Sequence, residues 1–266
     1  MSSSRLDRAL VERGLVSTRT KAQRLIERGV VEVDGEAITK TSFSVPDDAA
    51  IVVTEPDTDV GRGALKLRAA LERWPIPVDG ANAVDLGAST GGFTQVLLES
   101  GASSVVAIDV GHGQLHPSLA EDSRVTSWEG QNVLELTPEL WQHKKFSEAI
   151  TVAVADLSFV SLSAVIPTLV GLFGVHSHYI LLVKPQFEVG RSGIRGGIVK
   201  NERLREQALR DVANTCGEAG IPVRAVMCSP ITGEKGNVEY LLYASTTSSV
   251  YPAEWDGQIP VLSPGE

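Results

Sequence analysis

Short apolar runs alternate with longer amphipathic segments through most of the chain, and this alternation predicts the fold. Apolar and β-branched runs predict strands at residues 83–86, 104–109, 125–129, 151–155, 179–183, 223–228 and 238–244. Apolar residues three and four positions apart predict helices at residues 92–100, 162–172 and 202–219. Residues 61–63 lead into one more helix, with Leu67, Ala70, Leu71 and Trp74 on one face. Strands and helices in this order indicate an α/β fold with a doubly wound sheet. Only a loop separates the last two strands, which predicts that they pair antiparallel.

The first part of the chain has a different pattern, with shorter elements. Two short apolar helical faces end at Gly14 and Gly29, where a glycine fits a helix C-cap. A β-hairpin is predicted at 30–38 with its turn at Asp34-Gly35, and a further strand at 50–53. We therefore expect a small α+β domain at residues 1–55, a linker at 56–63, an α/β domain at 64–245 and a loose tail at 246–266.

Composition narrows the class of protein. The chain has 266 residues, of which 42% are hydrophobic, enough for one or two domains with real cores. Its N-terminus has no apolar signal segment, and Cys216 and Cys228 have no metal-ligand spacing, so we expect a cytoplasmic protein without a metal. The apolar stretch 149–175 contains Asp156 and Pro167, which favours a strand and a helix over a membrane span.

Charge is distributed unevenly along the chain. The net charge is −9, yet residues 1–28 contain seven arginines and lysines against three acids, a local charge of +4. On the second predicted helix Lys21, Arg24 and Arg28 share one face, where they can reach a phosphate backbone. An ordinary solvated helix face is the alternative. Any polyanionic partner is expected to bind at this basic first domain.

A glycine-containing loop follows the first strand of the α/β domain. Asp85 and Gly87 end the strand, and Gly91-Gly92 lead into the next helix. The spacing differs from the G-x-G-x-x-G of dinucleotide folds and from a P-loop. An acid before the first glycine suits a ligand with a cationic centre and no phosphate, such as S-adenosylmethionine. A glycine turn that only packs helix on strand is the alternative.

Polar residues after the next two strands extend this candidate site. Asp109 ends its strand about 20 residues beyond the glycine loop, where an acid commonly binds ribose hydroxyls, and Asn132 is placed to contact an adenine edge. A turn carboxylate and a loop amide are the alternatives. The predicted cofactor-binding residues are Asp85, Gly87, Ser89, Thr90, Gly91, Gly92, Phe93, Asp109 and Asn132.

Four charged residues stand in apolar or glycine-rich surroundings. Asp156 and Lys184 follow buried-strand patterns, Glu239 lies in the last predicted strand, and Lys66 opens the helix after the linker. Buried charges need partners, so these two acids and two lysines are expected to pair with one another. An ion network that merely closes the sheet is the alternative to a catalytic site.

Several motifs resemble known families. The arginine-bearing second helix that runs into Val-Glu-Val-Asp-Gly resembles an S4-like RNA-binding domain. The four charged residues resemble the Lys-Asp-Lys-Glu tetrad of FtsJ-like ribose 2′-O-methyltransferases. Together with the stretches 62–67, 85–94, 155–159, 183–188 and 236–240, they resemble the TlyA family of rRNA 2′-O-methyltransferases, which also carries a haemolysin label. Gly61, Leu65 and the glycine loop 195–197 depart from the family pattern.

The resemblance implies a Rossmann-like methyltransferase sheet, S-adenosyl-L-methionine as the cofactor, and ribosomal RNA or ribosomal subunits as the partner. It implies ribose 2′-O-methylation of cytidine in 23S and also 16S rRNA. Lys66, Asp156, Lys184 and Glu239 would be catalytic, with Lys184 accepting or steering the proton of the hydroxyl. RNA contacts are expected from Arg5, Arg8, Arg19, Lys21, Arg24, Arg28 and Arg62.

Three other functions fit less of the sequence. A base methyltransferase would need an Asn/Asp-Pro-Pro-aromatic motif or a nucleophilic cysteine, but the chain has Asp156-Leu-Ser-Phe159, and Ser229 follows Cys228. A membrane-active haemolysin would need a membrane span, a basic amphipathic helix or a lipidation signal, and no such feature in the sequence supports this function. A non-catalytic RNA-binding module would leave the four charged residues unexplained.

Overall fold

The computed structural model describes residues 3–16, 19–54, 59–144, 149–190, 193–233 and 235–247. These residues belong to two compact units, 1–59 and 60–266. Most of the predicted tail, residues 248–266, and residues 56–58 of the predicted linker lie outside the described residues.

The first unit is a small α+β structure. Its elements are β1 (Ser3–Arg5), α1 (Leu6–Glu12), α2 (Arg19–Glu27), β2 (Val31–Val33), β3 (Glu36–Ala37), β4 (Ser44–Pro46) and β5 (Ile51–Val53). Strand β2 pairs antiparallel with β3 and β5, and β1 pairs antiparallel with β4. The two predicted helices, the hairpin and the further strand are therefore present.

The apolar helical faces that the sequence shows build the core of this unit. Leu6 and Leu10 of α1 pack with Leu25 and Ile26 of α2 against the valines of β2 and Val45 of β4. Gly14 and Gly29 follow the two helices with φ of +69° and +73°, a conformation that favours glycine. Strands β1 and β4 were not predicted, because three residues rich in serine and proline carry no alternating apolar signal.

The second unit alternates strands and helices. It contains α3 (Gly63–Arg73), β6 (Asn82–Leu86), α4 (Gly92–Glu99), β7 (Ser104–Asp109), α5 (Pro117–Ala120), β8 (Val125–Glu129), α6 (Pro138–His143), β9 (Val152–Ala155), α7 (Leu162–Phe173), β10 (His178–Val183), α8 (Pro185–Glu188), α9 (Glu202–Glu218), β11 (Val223–Cys228) and β12 (Tyr240–Ala244). Long predicted elements agree with the observed ones to within two residues at each end.

One seven-stranded sheet organises this unit, in the order β11-β12-β10-β9-β6-β7-β8. Neighbours from β10 to β8 are parallel, whereas β12 is antiparallel to both β10 and β11. The doubly wound sheet and the antiparallel final pair are confirmed. The order in which successive strands join the sheet reverses between β6 and β9, and the crevice at the carboxyl ends of such strands is where open α/β sheets bind ligands.

Alternate side chains of the central strands feed two cores, one on each face of the sheet. Val84 and Ala153 belong to the core that α7 and α9 cover, whereas Ala83 and Val152 belong to the core that α3 and α4 cover. Burial on both faces explains why these strands read as continuous apolar runs.

Three short helices were missed by the periodicity analysis. Helices α5, α6 and α8 have four to six residues, too few for an apolar period, and a proline stands near the start of each. That proline is the signal that could have found them. The apolar stretch 149–175 forms β9 and the twelve-residue α7. Among the described residues, every helix falls short of the length and apolarity that a membrane crossing requires.

Candidate functional site

Four charged side chains meet at the carboxyl edge of the sheet. Lys66 Nζ lies 2.8 Å from Glu239 Oε2 and 3.4 Å from Asp156 Oδ2, and Lys184 Nζ lies 2.6 Å from Asp156 Oδ1. The pairs therefore form a continuous series, Glu239–Lys66–Asp156–Lys184, which we call the lysine–carboxylate chain. All four residues were singled out in the sequence, and the structure brings them together.

Topology explains why residues so far apart in sequence converge. Asp156 and Lys184 directly follow the parallel neighbours β9 and β10, so they leave the sheet at the same edge. Glu239 precedes β12, and because β12 runs antiparallel to β10 its beginning lies at that edge too. The predicted strand 238–244 included Glu239, but the observed strand begins one residue after it. Lys66 reaches the edge from the first turn of α3.

Burial makes the lysine–carboxylate chain electrostatically unusual. The side chains of Glu239, Lys66 and Lys184 are at most 10% exposed, whereas Asp156 is 19% exposed. Burial alone would raise the pKa of Asp156, but the charges of Lys66 and Lys184 outweigh it and lower that pKa. Two positive and two negative groups leave no uncompensated buried charge, which is the condition for tolerating them.

Lys184 stands at the open end of the chain. Its Nζ also donates to Ser158 Oγ at 2.9 Å, and Ser158 is exposed. The next residue, Phe159, is 92% exposed and has a φ of +65°, a conformation that L residues with bulky side chains rarely adopt. Its ring lies 5.2 Å from that of Phe187. The exposed Phe159 therefore contacts the half-buried Phe187, and its neighbour Ser158 binds Lys184.

Glu188 holds the loop that carries Phe159. Its carboxylate accepts hydrogen bonds from Ser161 Oγ at 2.6 Å and from the backbone N–H of Leu162 at 2.8 Å, at the start of α7. Burial raises the pKa of Glu188, and the hydrogen bonds from this helix start partly offset that rise. Phe159, Ser158 and Glu188 were not predicted as site residues, because their exposure and contacts are not visible in a short apolar motif.

The glycine loop after β6 is shaped by close packing. Gly87 has a φ of +82°, and a Cβ there would come within 2.6 Å of the backbone oxygen of Asp156. A Cβ on Gly92 would come within 2.8 Å of the backbone nitrogen of Ala64. The loop thus lies directly against Asp156, which bridges the two lysines. A residue larger than glycine at position 87 or 92 would displace the neighbouring backbone.

Asp85, a predicted cofactor contact, lies near the end of β6. Its carboxylate is fully buried, and Oδ2 accepts hydrogen bonds from the backbone N–H and the hydroxyl of Thr94 in the first turn of α4. Burial, together with the charges of Asp156 and Asp109, raises the pKa of Asp85 to about 7 in spite of the Thr94 bonds. Asp85 Oδ1 has no hydrogen-bond partner among the described residues. Asp85 therefore anchors the loop from behind.

A shallow cleft opens beside the glycine loop, and we call it the Asp109 cleft. Asp109 accepts from the backbone N–H of Ser89 at 2.8 Å and of Gly111 at 2.7 Å. Each carboxylate oxygen keeps a second lone pair for a ligand hydroxyl. The lining residues are Ala88, Ser89, Ala107, Asp109, Gly111, Gln114, Leu115, Ser127 and Glu129.

The chemistry of the Asp109 cleft fits a nucleoside with a cationic group. Asp109 and Glu129 bring two carboxylates to it and none of its lining residues is basic, so a ligand phosphate would be repelled. Ribose hydroxyls and a sulfonium or ammonium centre would be favoured instead. Together with the buried, unpartnered Asp85 Oδ1 behind the loop, these features fit S-adenosylmethionine.

Of the other predicted cofactor contacts, only Ser89 lines the Asp109 cleft. Ser89 and Thr90 are exposed on the loop, but Gly91, Gly92 and Phe93 are buried in the packing around α4. Asn132 lies outside the cleft lining, and its Oδ1 accepts from the backbone N–H of Leu134 to cap a short 3₁₀ turn. Sequence spacing located the loop correctly, but it could not give the direction of each side chain.

The predicted RNA contacts of the first unit divide into exposed and covered residues. Arg5, Arg8 and Arg19 are exposed, whereas Lys21 and Arg28 are half-buried. Arg24 is only 3% exposed, so its prediction as an outward-facing phosphate contact is wrong. Helix α2 has nine residues, and Arg24 is buried together with Ala22, Leu25 and Ile26 of the same helix.

Two further arginines have backbone partners. Arg13, which was not predicted to bind RNA, donates to the carbonyl oxygens of Pro46, Asp47 and Ala49 and so ties the end of α1 to the turn after β4. In the second unit Arg62, a predicted RNA contact, donates to the carbonyl oxygen of Thr232 at 3.3 Å. Among the described residues no group of three His, Cys, Asp or Glu side chains is arranged to hold a metal ion.

Comparison with known proteins assigns both units. The model of the FtsJ-like methyltransferases matches residues 60–246, and that of the S4 domain matches residues 4–51. The chain is 45% identical over 246 residues to the 16S/23S rRNA (cytidine-2′-O)-methyltransferase TlyA of Mycobacterium tuberculosis, covering 91% of this chain and 90% of that protein. It is 36% identical to Hemolysin A of Brachyspira hyodysenteriae, covering 90% and 98%. A solved structure named as a hemolysin from Streptococcus thermophilus superposes with a TM-score of 0.72 at 34% identity, covering 98% of this chain and 94% of that one.

Proposed function

Because the chain belongs to the FtsJ-like methyltransferases, we propose that it transfers a methyl group to the ribose 2′-hydroxyl of cytidine in bacterial ribosomal RNA. We propose both 23S and 16S rRNA as substrates, which places the protein in the cytoplasm with the ribosomal subunits. The observation that carries the proposal is the buried lysine–carboxylate chain, which ends at Lys184 beside the exposed Ser158.

A ribose hydroxyl is a weak nucleophile, so the reaction needs exact placement and a destination for its proton. Lys184 Nζ is the polar group at the open end of the chain, and it steers or accepts the proton of the 2′-hydroxyl. Asp156 holds Lys184 in place from one side while Lys66 and Glu239 hold Asp156 from the other. The oxygen gains the methyl group and loses its proton, which passes to Lys184 where Lys184 is a neutral amine; where Lys184 is the ammonium paired with Asp156, it orients the hydroxyl oxygen and the proton passes to solvent.

When bound, S-adenosylmethionine would supply the methyl group from its sulfonium sulfur, which would become a neutral thioether. In the Asp109 cleft, Asp109 is placed to bind the ribose hydroxyls of the cofactor, and the backbone N–H groups of Ser89 and Gly111 keep its carboxylate oriented. Asp85 fixes the start of α4, and hence the glycine loop, through Thr94.

The exposure of Phe159 separately supports the proposal that RNA is the substrate. An almost fully exposed phenylalanine held in a strained backbone conformation costs stability, and such strain is commonly retained at functional sites. Aromatic rings that bind single-stranded RNA do so by stacking on unpaired bases. We propose that Phe159, supported by Phe187, stacks on the target base or its neighbour and brings its ribose to Lys184.

Product analysis tests this function directly. The purified full chain is incubated with 30S and 50S subunits from a strain that lacks the corresponding gene and with isotopically labelled S-adenosylmethionine. The labelled RNA is then digested to nucleosides for mass spectrometry. We expect 2′-O-methylcytidine. Label on a base would point to a base methyltransferase, and no label in either subunit would refute rRNA as the substrate.

The name of the Brachyspira relative makes membrane lysis the second candidate. Leakage of a dye from liposomes, measured with the same purified protein, separates the two functions. We expect leakage at the level of a protein-free control. Lysis by the wild-type protein that persists after Lys184→Ala would support a membrane activity independent of methyl transfer.

A further inference from the structure

A fully buried carboxylate in the first unit joins two arginines that are themselves exposed. Asp7 lies in the first turn of α1 and is 0% exposed. Arg5 donates to it through Nε and Nη2, both at 3.1 Å, and Arg19 Nε donates at 2.9 Å. Gln23 Nε2 donates at 3.0 Å. We call these four residues the Asp7 cluster.

We propose that Asp7 is a positioning residue for RNA: it fixes the guanidinium groups of Arg5 and Arg19 side by side so that they bind the phosphate backbone together. The inference rests on the proposed function, because it takes RNA as the partner of the first unit. It concerns how that unit presents its charge, and it assigns to an acid a role in binding a polyanion.

The contacts leave both arginines available to a ligand. A guanidinium has five N–H donors, and Asp7 engages two of those of Arg5 and one of those of Arg19. Their side chains are 49% and 58% exposed, so about half of each is open to a ligand. Since both guanidinium groups bind one carboxylate, they lie close together. Fixing them in advance removes the entropy that two free arginine side chains would lose on binding.

The Asp7 carboxylate is held firmly enough to do this. Burial would raise its pKa, but hydrogen bonds from Arg5, Gln23 and Arg19 outweigh burial and hold that pKa well below its usual range. Asp7 therefore remains charged at any physiological pH. The nearby pair between Arg8 and Glu12 provides a contrast, because both of its side chains are largely exposed and can separate.

Two physical effects predict opposite results when the charge of Asp7 is removed. Asp7→Asn makes the first unit more positive, and simple charge attraction would then strengthen RNA binding. If Asp7 positions the arginines, the loss of their common acceptor weakens binding instead. Glu12→Gln removes the same charge from the same helix without touching the Asp7 cluster, and it is the matched control.

The experiment uses the full chain and 23S rRNA transcribed in vitro. Binding is measured from 50 to 300 mM salt, and kcat and KM are measured for methyl transfer. We expect Asp7→Asn to weaken binding and raise KM about tenfold with kcat unchanged, since two charge-assisted contacts lose their alignment. The salt slope should become shallower by about one to two phosphate contacts. Glu12→Gln should bind as tightly as the wild type or more tightly.

Equal or tighter binding by Asp7→Asn overturns the proposal. Circular dichroism and an unchanged affinity for S-adenosylmethionine show that the variant is folded. If Asp7→Asn does not fold, Arg19→Lys replaces it, because that exchange keeps the charge but loses the rigid contact; affinity equal to the wild type would then overturn the proposal. Absence of salt-dependent RNA binding by the wild type would refute the RNA partner itself, which separates that failure from a failure of the Asp7 inference.

Discussion

Each unit of the protein contains an aspartate that bridges two basic side chains, but the two arrangements differ in whether those basic side chains are exposed. In the first unit Asp7 is buried and joins Arg5 and Arg19, which are about half exposed. In the second unit Asp156 joins Lys66 and Lys184, which are at most 10% exposed. One arrangement presents its cations to the surroundings, and the other encloses them.

The choice of cation follows this difference. A guanidinium can bind a carboxylate with one edge and a phosphate with another, so arginine suits an exposed position between an acid and a polyanion. An ammonium is a compact group that can hold or transfer a single proton, which suits an enclosed reaction site. We propose that the same ion-pair motif serves recognition in the first unit and chemistry in the second, according to which partner is buried.

Loss of Lys184 should have the largest effect on activity. We expect Lys184→Ala to reduce kcat at least a thousandfold, because the 2′-hydroxyl loses the group that orients it and that steers or accepts its proton. Each of these effects commonly contributes about a hundredfold or more. S-adenosylmethionine affinity, measured by calorimetry, should stay within about twofold. Lys144→Ala, which changes an exposed lysine of the same unit, is the control and should retain wild-type turnover. Turnover retained by Lys184→Ala would remove the catalytic assignment.

Asp85 sharpens the comparison because it is a buried acid without a bridging cation. Its pKa is raised to about 7, whereas those of Asp7 and Asp156 are lowered. The folded protein therefore keeps the Asp85 proton at a pH where the unfolded chain has lost it. Stability is lost as the pH rises from about 4 to about 7, and the loss between pH 5 and pH 8 amounts to roughly 3 kcal/mol.

Urea unfolding at pH 5 and pH 8 measures this loss. Asp85→Asn should reduce the difference between the two free energies of unfolding by about 3 kcal/mol. The control is Asp122→Asn, because Arg124 holds the pKa of Asp122 at about 2 and this acid is ionised throughout the interval. An Asp85→Asn variant with the pH dependence of the wild type would contradict the buried, cation-free environment of Asp85.

Phe159 should show the smallest effect and opposite changes in stability and activity. Glycine adopts a φ of +65° without strain, so Phe159→Gly should leave the free energy of unfolding unchanged or raise it by about 1 kcal/mol. Loss of a base-stacking ring should raise KM for RNA about tenfold. Leu134→Ala, at another exposed apolar position, should change neither quantity. An unchanged KM would remove the stacking role.

The sequence predicted most of the second unit because its elements are long and regular. Strands such as β7 and β11 were located to the residue, since most of the six residues in each are apolar. Strand β1 and the short α8 were missed, because three or four residues carry no period. The insertion of β12 between β10 and β11 depends on long-range pairing that no local pattern encodes.

The candidate site was predictable where topology decides and unpredictable where side-chain direction decides. Acids and lysines at strand ends must share one edge of the sheet, so Asp156 and Lys184 could be grouped from the sequence. Burial of Asp85 and of Arg24, by contrast, depends on how each side chain leaves its element. The exposure of Phe159 likewise follows from a positive φ that a phenylalanine gives no reason to expect.

A methyl group on a ribose oxygen is the central claim, and removal of that oxygen is its most direct test. Ribose methylation blocks alkaline cleavage, which maps the modified nucleotide in the product RNA. An RNA fragment is then made with 2′-deoxycytidine at that position, and a second with the deoxy sugar at the neighbouring nucleotide. We predict no methyl transfer to the first fragment and normal transfer to the second. Transfer to the fragment that lacks the target hydroxyl would contradict ribose methylation.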